Sequence, residues 1–202
     1  MTIVDSDPTS QCAPTAAAPG ARQRILDTAN TLFYADGIRT VGVDRLIRES
    51  GVTKATFYKH YGAKENLILE YITARHDSVR RNLERVIAEA AGPRDAIRAL
   101  TAVVAAQVQR ADFRGSPFLN AAAEYSSERH PVRAVVVAHR DWCTDTIAEL
   151  LRQLGHPLPG DGADEIVLAR DGAMAGGYAS DPIAAAAAMQ RVVERVLADA
   201  GT

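Results

Sequence analysis

Three lysines, Lys54, Lys59 and Lys64, are the only ones in the chain, and all fall within eleven residues of the stretch GVTKATFYKHYGAK at positions 51–64. Every other fixed positive charge is arginine. Around the lysines stand Thr53, Thr56, Tyr58 and His60, and only Val52 and Phe57 are suited to face a core. Hydroxyls and ammonium groups on one short helix can reach phosphates. Imidazole and lysine can donate to guanine edges, and the Thr56 methyl can touch a thymine methyl. A compact ammonium on a flexible stem suits phosphate contact in particular. The alternative for such a segment is a charged face that is merely solvated.

The elements around this stretch decide between the two. From Ala21, Ile25, Ala29, Leu32 and Phe33 fall on one helical face, and Gly37 stands where a left-handed cap belongs. A second helix is expected from about Val43 to Ser50, with Val43, Leu46 and Ile47 inward and Gly51 just past its end. Thr53 can cap a third, residues 54–61. Two short helices about a glycine turn make a helix-turn-helix, whose second helix is offered to the major groove. From Lys64 an amphipathic helix carries Ile68, Ile72, Val79, Leu83 and Val86 inward until Gly92-Pro93 ends it.

Further helices are expected at about 95–111, 116–127, 132–154, 161–179 and 181–200. Ser116-Pro117 and Asp181-Pro182 each set a capping oxygen before a proline at the first helical position. No strand pattern or internal repeat is found. The expected fold class is all-α with about nine helices: a disordered tail over 1–20, a helix-turn-helix domain over 21–69, and a helical ligand-binding and dimerisation domain over 70–202.

Composition limits the function further. An apolar fraction of 47% over 202 residues supplies a core, and a net charge of −2 excludes a uniformly basic coat for nucleic acid, so any electrostatic footprint is local. Cys12 and Cys143 have no C-x-x-C spacing, which argues against a disulfide framework or a cysteine-built zinc site. No run reaches the roughly 18 apolar residues of a membrane span. The N-terminus carries Asp5 and Asp7 and no basic residue before Arg22, unlike a secretory signal. A cytoplasmic protein without membrane contact is expected.

The helix-one core, Gly37, Thr40, Val43, Gly51-Val52, Thr56-Phe57-Tyr58, His60-Tyr61, Lys64-Glu65 and Leu67 together resemble the N-terminal domain of the TetR family of transcriptional regulators. The resemblance covers roughly fifty residues, from Ala21 to about Leu69, and the string G-V-x-x-x-T-F-Y-x-H-Y-x-x-K-E-x-L is its specific part. It implies DNA contacts by Thr40, Arg45, Thr53, Lys54, Ala55, Thr56, Tyr58, Lys59, His60 and Lys64, with Tyr58, His60 and Lys64 on the phosphate backbone. Two positions depart from the pattern. Tyr61 replaces the usual Phe, so its hydroxyl needs a partner. Ala63 stands where Ser or Asp normally caps the fourth helix, a loss of about 1 kcal/mol, and a bound phosphate is expected to stand in for the missing oxygen.

The resemblance further implies a homodimer, a palindromic double-stranded operator and a small-molecule effector in the C-terminal half. Gly172, Ala173, Ala175, Gly176, Gly177, Ala179 and the alanines at 184–188 let helices approach closely, so the dimer interface is expected on the last two helices. The alternative is that they close the subunit's own core. Phe113, Phe118, Tyr125, Trp142 and Tyr178, with Asn120, Glu124, His139, Cys143, Arg170 and Ala173, are the candidate lining of a largely apolar pocket. Ordinary core packing is the alternative for each.

His139 and Cys143, four apart, share a helical face, yet no third ligand is specified, so a packed histidine and an inert thiol are the expectation rather than a metal site. The flanking Asp141 and Asp145 are expected to raise the thiol pKa. No cofactor is expected. An enzyme is disfavoured, because no nucleophile–base pair, metal set or G-x-x-x-x-G-K loop is present. The expected function is a repressor released from its operator by an apolar or weakly polar effector. The alternative is an activator, or a regulator controlled by a partner protein.

Overall fold

The computed structural model describes residues 20–200. Nine α-helices make up the described chain: α1 (Ala21–Asp36), α2 (Val43–Ser50), α3 (Lys54–Tyr61), α4 (Lys64–Glu89), α5 (Pro93–Val108), α6 (Pro117–Glu124), α7 (Pro131–Gln153), α8 (Pro159–Ala179) and α9 (Pro182–Asp199). The tail expected over 1–20 lies outside the described residues except for Gly20, which precedes α1, and Cys12 lies outside them as well.

Every helix from α5 onward opens on a proline in its first turn. The missing proline N–H would be an orphan there anyway, and its fixed φ is already helical. The sequence pattern identifies two of these starts and sets α5, α7 and α8 one or two residues late; Pro93, read as the end of α4, is the opener of α5. Both capping oxygens act as expected. Ser116 Oγ accepts from Leu119 N, and Asp181 Oδ1 accepts from Ile183 N and Ala184 N at 2.9 and 3.0 Å.

The helix-turn-helix is fixed by its turns. Gly51 ends α2 in the left-handed conformation (φ 64°, ψ 36°), where a side chain would be strained, and Val52 N donates back to Ile47 O. Gly37 also has positive φ (88°), but with ψ 152° it turns the chain out of α1 rather than forming the expected left-handed cap.

The buried residues of α1, α2 and α3 pack on Leu67, Ile68, Tyr71 and Ile72 of α4, with Phe33 edge-on to Tyr71 at 5.4 Å. This core does not stop at the domain boundary expected near residue 69. Phe118 and Ala121 of α6 and Val132 of α7 belong to it. Farther along, Leu83, Val86 and Ile87 of α4 pack on a second core built from α5, α7, α8 and α9. One helix is therefore common to both cores. No helix among the described residues is long and apolar enough to cross a membrane.

Candidate nucleic-acid interface and effector cavity

Helix α3 stands on Phe57 and Tyr61, both buried, and turns its remaining face to solvent. The Thr53 hydroxyl caps it, accepting from Thr56 N at 3.1 Å and meeting Thr56 Oγ1 at 2.9 Å, so both hydroxyls are held by each other. Lys54, Ala55, Tyr58 and Lys59 are exposed and His60 is half-buried. Among the described residues neither Lys54 nor Lys59 is paired with a carboxylate. Thr40 is exposed on the turn before α2.

Two of the expected contacts are already engaged within the protein. Arg45 bridges Asp36 at 2.7 Å and Glu49 at 2.8 Å. Lys64 is half-buried, donates from Nζ to Ile38 O at 2.6 Å and lies over the Phe33 ring. Burial holds its pKa below the usual lysine range.

Tyr61 meets the condition its hydroxyl imposed, donating to Arg22 O at 3.2 Å. Burial, and then the Glu70 carboxylate, push its pKa up to about 12, so it stays a neutral donor. Ala63 leaves α4 without a side-chain cap, while Asn66 Nδ2 donates to Tyr61 O at 2.7 Å and closes the end of α3.

In the C-terminal half, five helices surround a cavity of about 50 Å³. Leu83 comes from α4, Leu100, Thr101 and Val104 from α5, Trp142, Cys143, Thr146 and Ile147 from α7, Ile166, Val167 and Arg170 from α8, and Met189 and Val193 from α9. Of the residues anticipated from sequence, Trp142, Cys143 and Arg170 form its wall. His139 and Phe118 lie beside it, their rings stacked at 3.6 Å. His139 Nδ1 meets His76 Nδ1 at 3.2 Å, and its Nε2 meets Cys143 Sγ at 3.7 Å. Burial, then the positive charge of Arg170, push the His139 pKa down to about 3, so it is neutral near pH 7. Burial also raises the Cys143 thiol. The expected direction holds, but its cause is the apolar surroundings rather than Asp141 and Asp145, which are exposed.

The other anticipated lining residues are elsewhere. Glu124 accepts hydrogen bonds from the backbone of the α1–α2 turn. Asn120 Nδ2 donates to Arg114 O at 2.8 Å and steadies the loop before α6. Tyr125 stacks on His130 at 4.2 Å. Phe113 and Ala173 are packed in a third core with Val108, Met174 and Ala186, and Tyr178 is exposed at the end of α8. Phe113 also edges a wider surface cleft with Tyr34, Arg75 and Gln107. What sequence reasoning missed is the aliphatic wall, whose residues carry no chemical signature apart from helical periodicity. Among the described residues no three His, Cys, Asp or Glu side chains converge on a position able to hold a metal ion.

A helix-turn-helix and a helical second half joined by one long helix is also what known proteins show. Residues 25–71 match the sequence profile described as "Bacterial regulatory proteins, tetR family". The HTH-type transcriptional regulator LmrA of Bacillus subtilis is 30% identical over 138 residues, 67% of this chain and 73% of that protein. A TetR-family transcriptional regulator of Streptomyces coelicolor superposes with a TM-score of 0.87 at 38% identity, over 90% of this chain and 96% of that one. The chain belongs to the TetR family. NemR of E. coli in its reduced form, at 18% identity and a TM-score of 0.72 over 88% of this chain and 95% of its own, shares the fold. As a TetR-family protein the chain is a transcriptional regulator with a DNA-binding helix-turn-helix, and not an enzyme. Regulators of the TetR family bind DNA and form dimers.

Proposed function

We propose that this regulator is a homodimeric repressor that reads a palindromic operator with α3 and leaves it when a small, largely apolar molecule enters the α4–α9 cavity. The observation that carries the reading is the course of α4, which starts beside α3 at Lys64 and supplies Leu83 to the cavity wall. Lys54, Thr56, Tyr58, Lys59 and His60 are the groups assigned to DNA. Lys54 lies at the start of the reading helix, where a base edge is within reach, and Lys59 and Tyr58 suit phosphates. The uncapped N-terminus of α4 offers free N–H groups to a further phosphate.

Release follows from size. A typical ligand site occupies roughly 300–1,000 Å³, whereas the cavity measures about 50 Å³. An effector must part the walls to enter, and α4 is one of them. Two reading heads on one rigid duplex tolerate little change in separation, so a coupling of about 1–3 kcal/mol between effector and operator suffices.

The dimer contact is assigned to the outer face of α8 and α9. Leu168, Gly172, Ala175 and Ala179 make an exposed stripe along α8, and Ile183 is exposed on α9. Their spacing of three or four residues puts the α8 set on one helical face.

Trp142, the only tryptophan, reports on the cavity. Its emission should change over the same effector concentrations that free a labelled operator. Release from the operator by a compound that leaves Trp142 unchanged would remove the cavity from the mechanism.

A further inference from the structure

The cavity wall contains one ionised side chain, Arg170, among twelve uncharged residues. Its only hydrogen bond among the described residues runs from Nη1 to Asp171 Oδ1 at 3.0 Å. That carboxylate is shared, because Arg140 pairs with its other oxygen. Two guanidinium groups on one carboxylate leave the cluster with one uncompensated positive charge. The side chains of Arg170 and Asp171 are only 17% and 15% exposed, so solvent screens that charge poorly. Its field is felt within the cavity wall and behind it, where Arg170 lowers the pKa values of Cys143 and His139 against and along with burial respectively.

A half-buried guanidinium with donors to spare beside an apolar hollow is a receptor for an anion with a hydrophobic body. We propose that the effector is an amphipathic monoanion, with a carboxylate or similar acidic head on Arg170 and a slender apolar body lying among Leu83, Leu100, Val104 and Ile147. The head gains a charge-assisted hydrogen bond and neutralises the cluster, while the body replaces water against aliphatic side chains. Narrowness selects the body: an unbranched chain enters between packed helices with less displacement than a bulky ring system. This rests on the cavity being the effector site, and it sharpens the expectation of an apolar or weakly polar effector into one with a charged end.

The test compares three molecules sharing an eight-carbon chain, octanoate, 1-octanol and octylammonium, by titrating Trp142 emission and operator release on the full-length protein. Octanoate should act at about tenfold lower concentration than octanol, the effect of one charge-assisted contact, and octylammonium should be weakest. Arg170→Gln should bring octanoate and octanol together, with circular dichroism showing whether the variant is folded. Arg170→Lys should keep the preference if the Gln variant does not fold. Asp171→Asn removes the competing carboxylate and should strengthen octanoate further, a gain that a merely structural role for this cluster does not produce. Equal action of octanol and octanoate, or a preference for octylammonium, overturns the anion assignment and leaves the cavity as the site. Operator release by any of the three with Trp142 silent overturns the cavity reading, whereas silence of Trp142 together with no release overturns the inference alone.

Discussion

Glu124 at the end of α6 grips the backbone of the reading head: its carboxylate accepts from Ile38 N at 2.9 Å and from Arg39 N at 2.7 Å, while Lys64 donates to the Ile38 carbonyl. The α1–α2 turn is therefore tied to both halves of the protein. Phe118, six residues before Glu124 on the same helix, stacks on His139 next to the α4–α9 cavity, so α6 gives the cavity a second mechanical connection to the turn besides α4.

Replacing Glu124 by Ala should leave two backbone N–H groups without their acceptor and lower stability by about 1–3 kcal/mol. Glu124→Gln, which keeps one acceptor oxygen, should lose about half as much. If α6 transmits the signal, both variants should bind the operator yet need more effector for release. Thermal unfolding and operator titration separate the two effects. An effector response equal to that of the parent protein would confine Glu124 to a structural role.

The lysines should divide by what already holds them. Lys59→Ala removes an exposed ammonium with no partner among the described residues, so operator affinity should fall, the salt dependence should lose about one counterion, and the melting temperature should not move. Lys64→Ala breaks the hydrogen bond to Ile38 O and uncovers Phe33, so its melting temperature should drop by several degrees. A fall in salt slope for Lys64→Ala as large as that for Lys59→Ala would assign the Lys64 ammonium to a phosphate in the complex.

The reading head was legible in the sequence because its requirements are local: a glycine in a left-handed turn, a threonine cap, and lysines confined to one short helix. The C-terminal cavity was less so, since its residues meet across five helices. Aromatic and polar residues are the markers that a sequence offers for such a cavity. Of these, Trp142, Cys143 and Arg170 line the cavity, whereas Glu124 and Asn120 are spent on backbone groups of turns. Leu83, Leu100 and Ile166 have the same periodicity as any core leucine or isoleucine. Only their three-dimensional meeting around unfilled space distinguishes them. The domain boundary near residue 69 followed the end of the recognisable motif, whereas packing continues through it on Phe118, Ala121 and Val132.

Acid should destabilise the fold through His139. Its pKa falls from 6.5 to about 3 on folding, so the unfolded chain binds the proton first as pH drops. The stabilising contribution is fully present above pH 6.5 and is lost progressively as pH falls from there towards about 3, by at most about 1.4 kcal/mol per pH unit from this one group. His139→Gln should unfold earlier at neutral pH, having lost the stack on Phe118, but should show a shallower loss between pH 6.5 and 5. Chemical denaturation at a series of pH values measures both slopes. Parallel curves for the two proteins would mean that His139 titrates normally.

The dimer assignment is tested by a charge placed where the single subunit does not feel it. Leu168 is 60% exposed on α8, so Leu168→Glu should change the stability of the subunit by no more than about 0.5 kcal/mol. In a two-fold interface the same substitution appears twice and sets carboxylates against an apolar surface. The dimer dissociation constant should therefore rise at least about a hundredfold. Sedimentation equilibrium gives the association state, and circular dichroism confirms that the helices remain. Operator binding should follow the dimer. The monomer should hold an isolated half-site as weakly as the parent does and lose the advantage of the palindrome, because two reading heads must be joined for the second to bind at a high effective concentration. A Leu168→Glu protein that stays dimeric and still prefers the palindrome would move the interface off this face of α8.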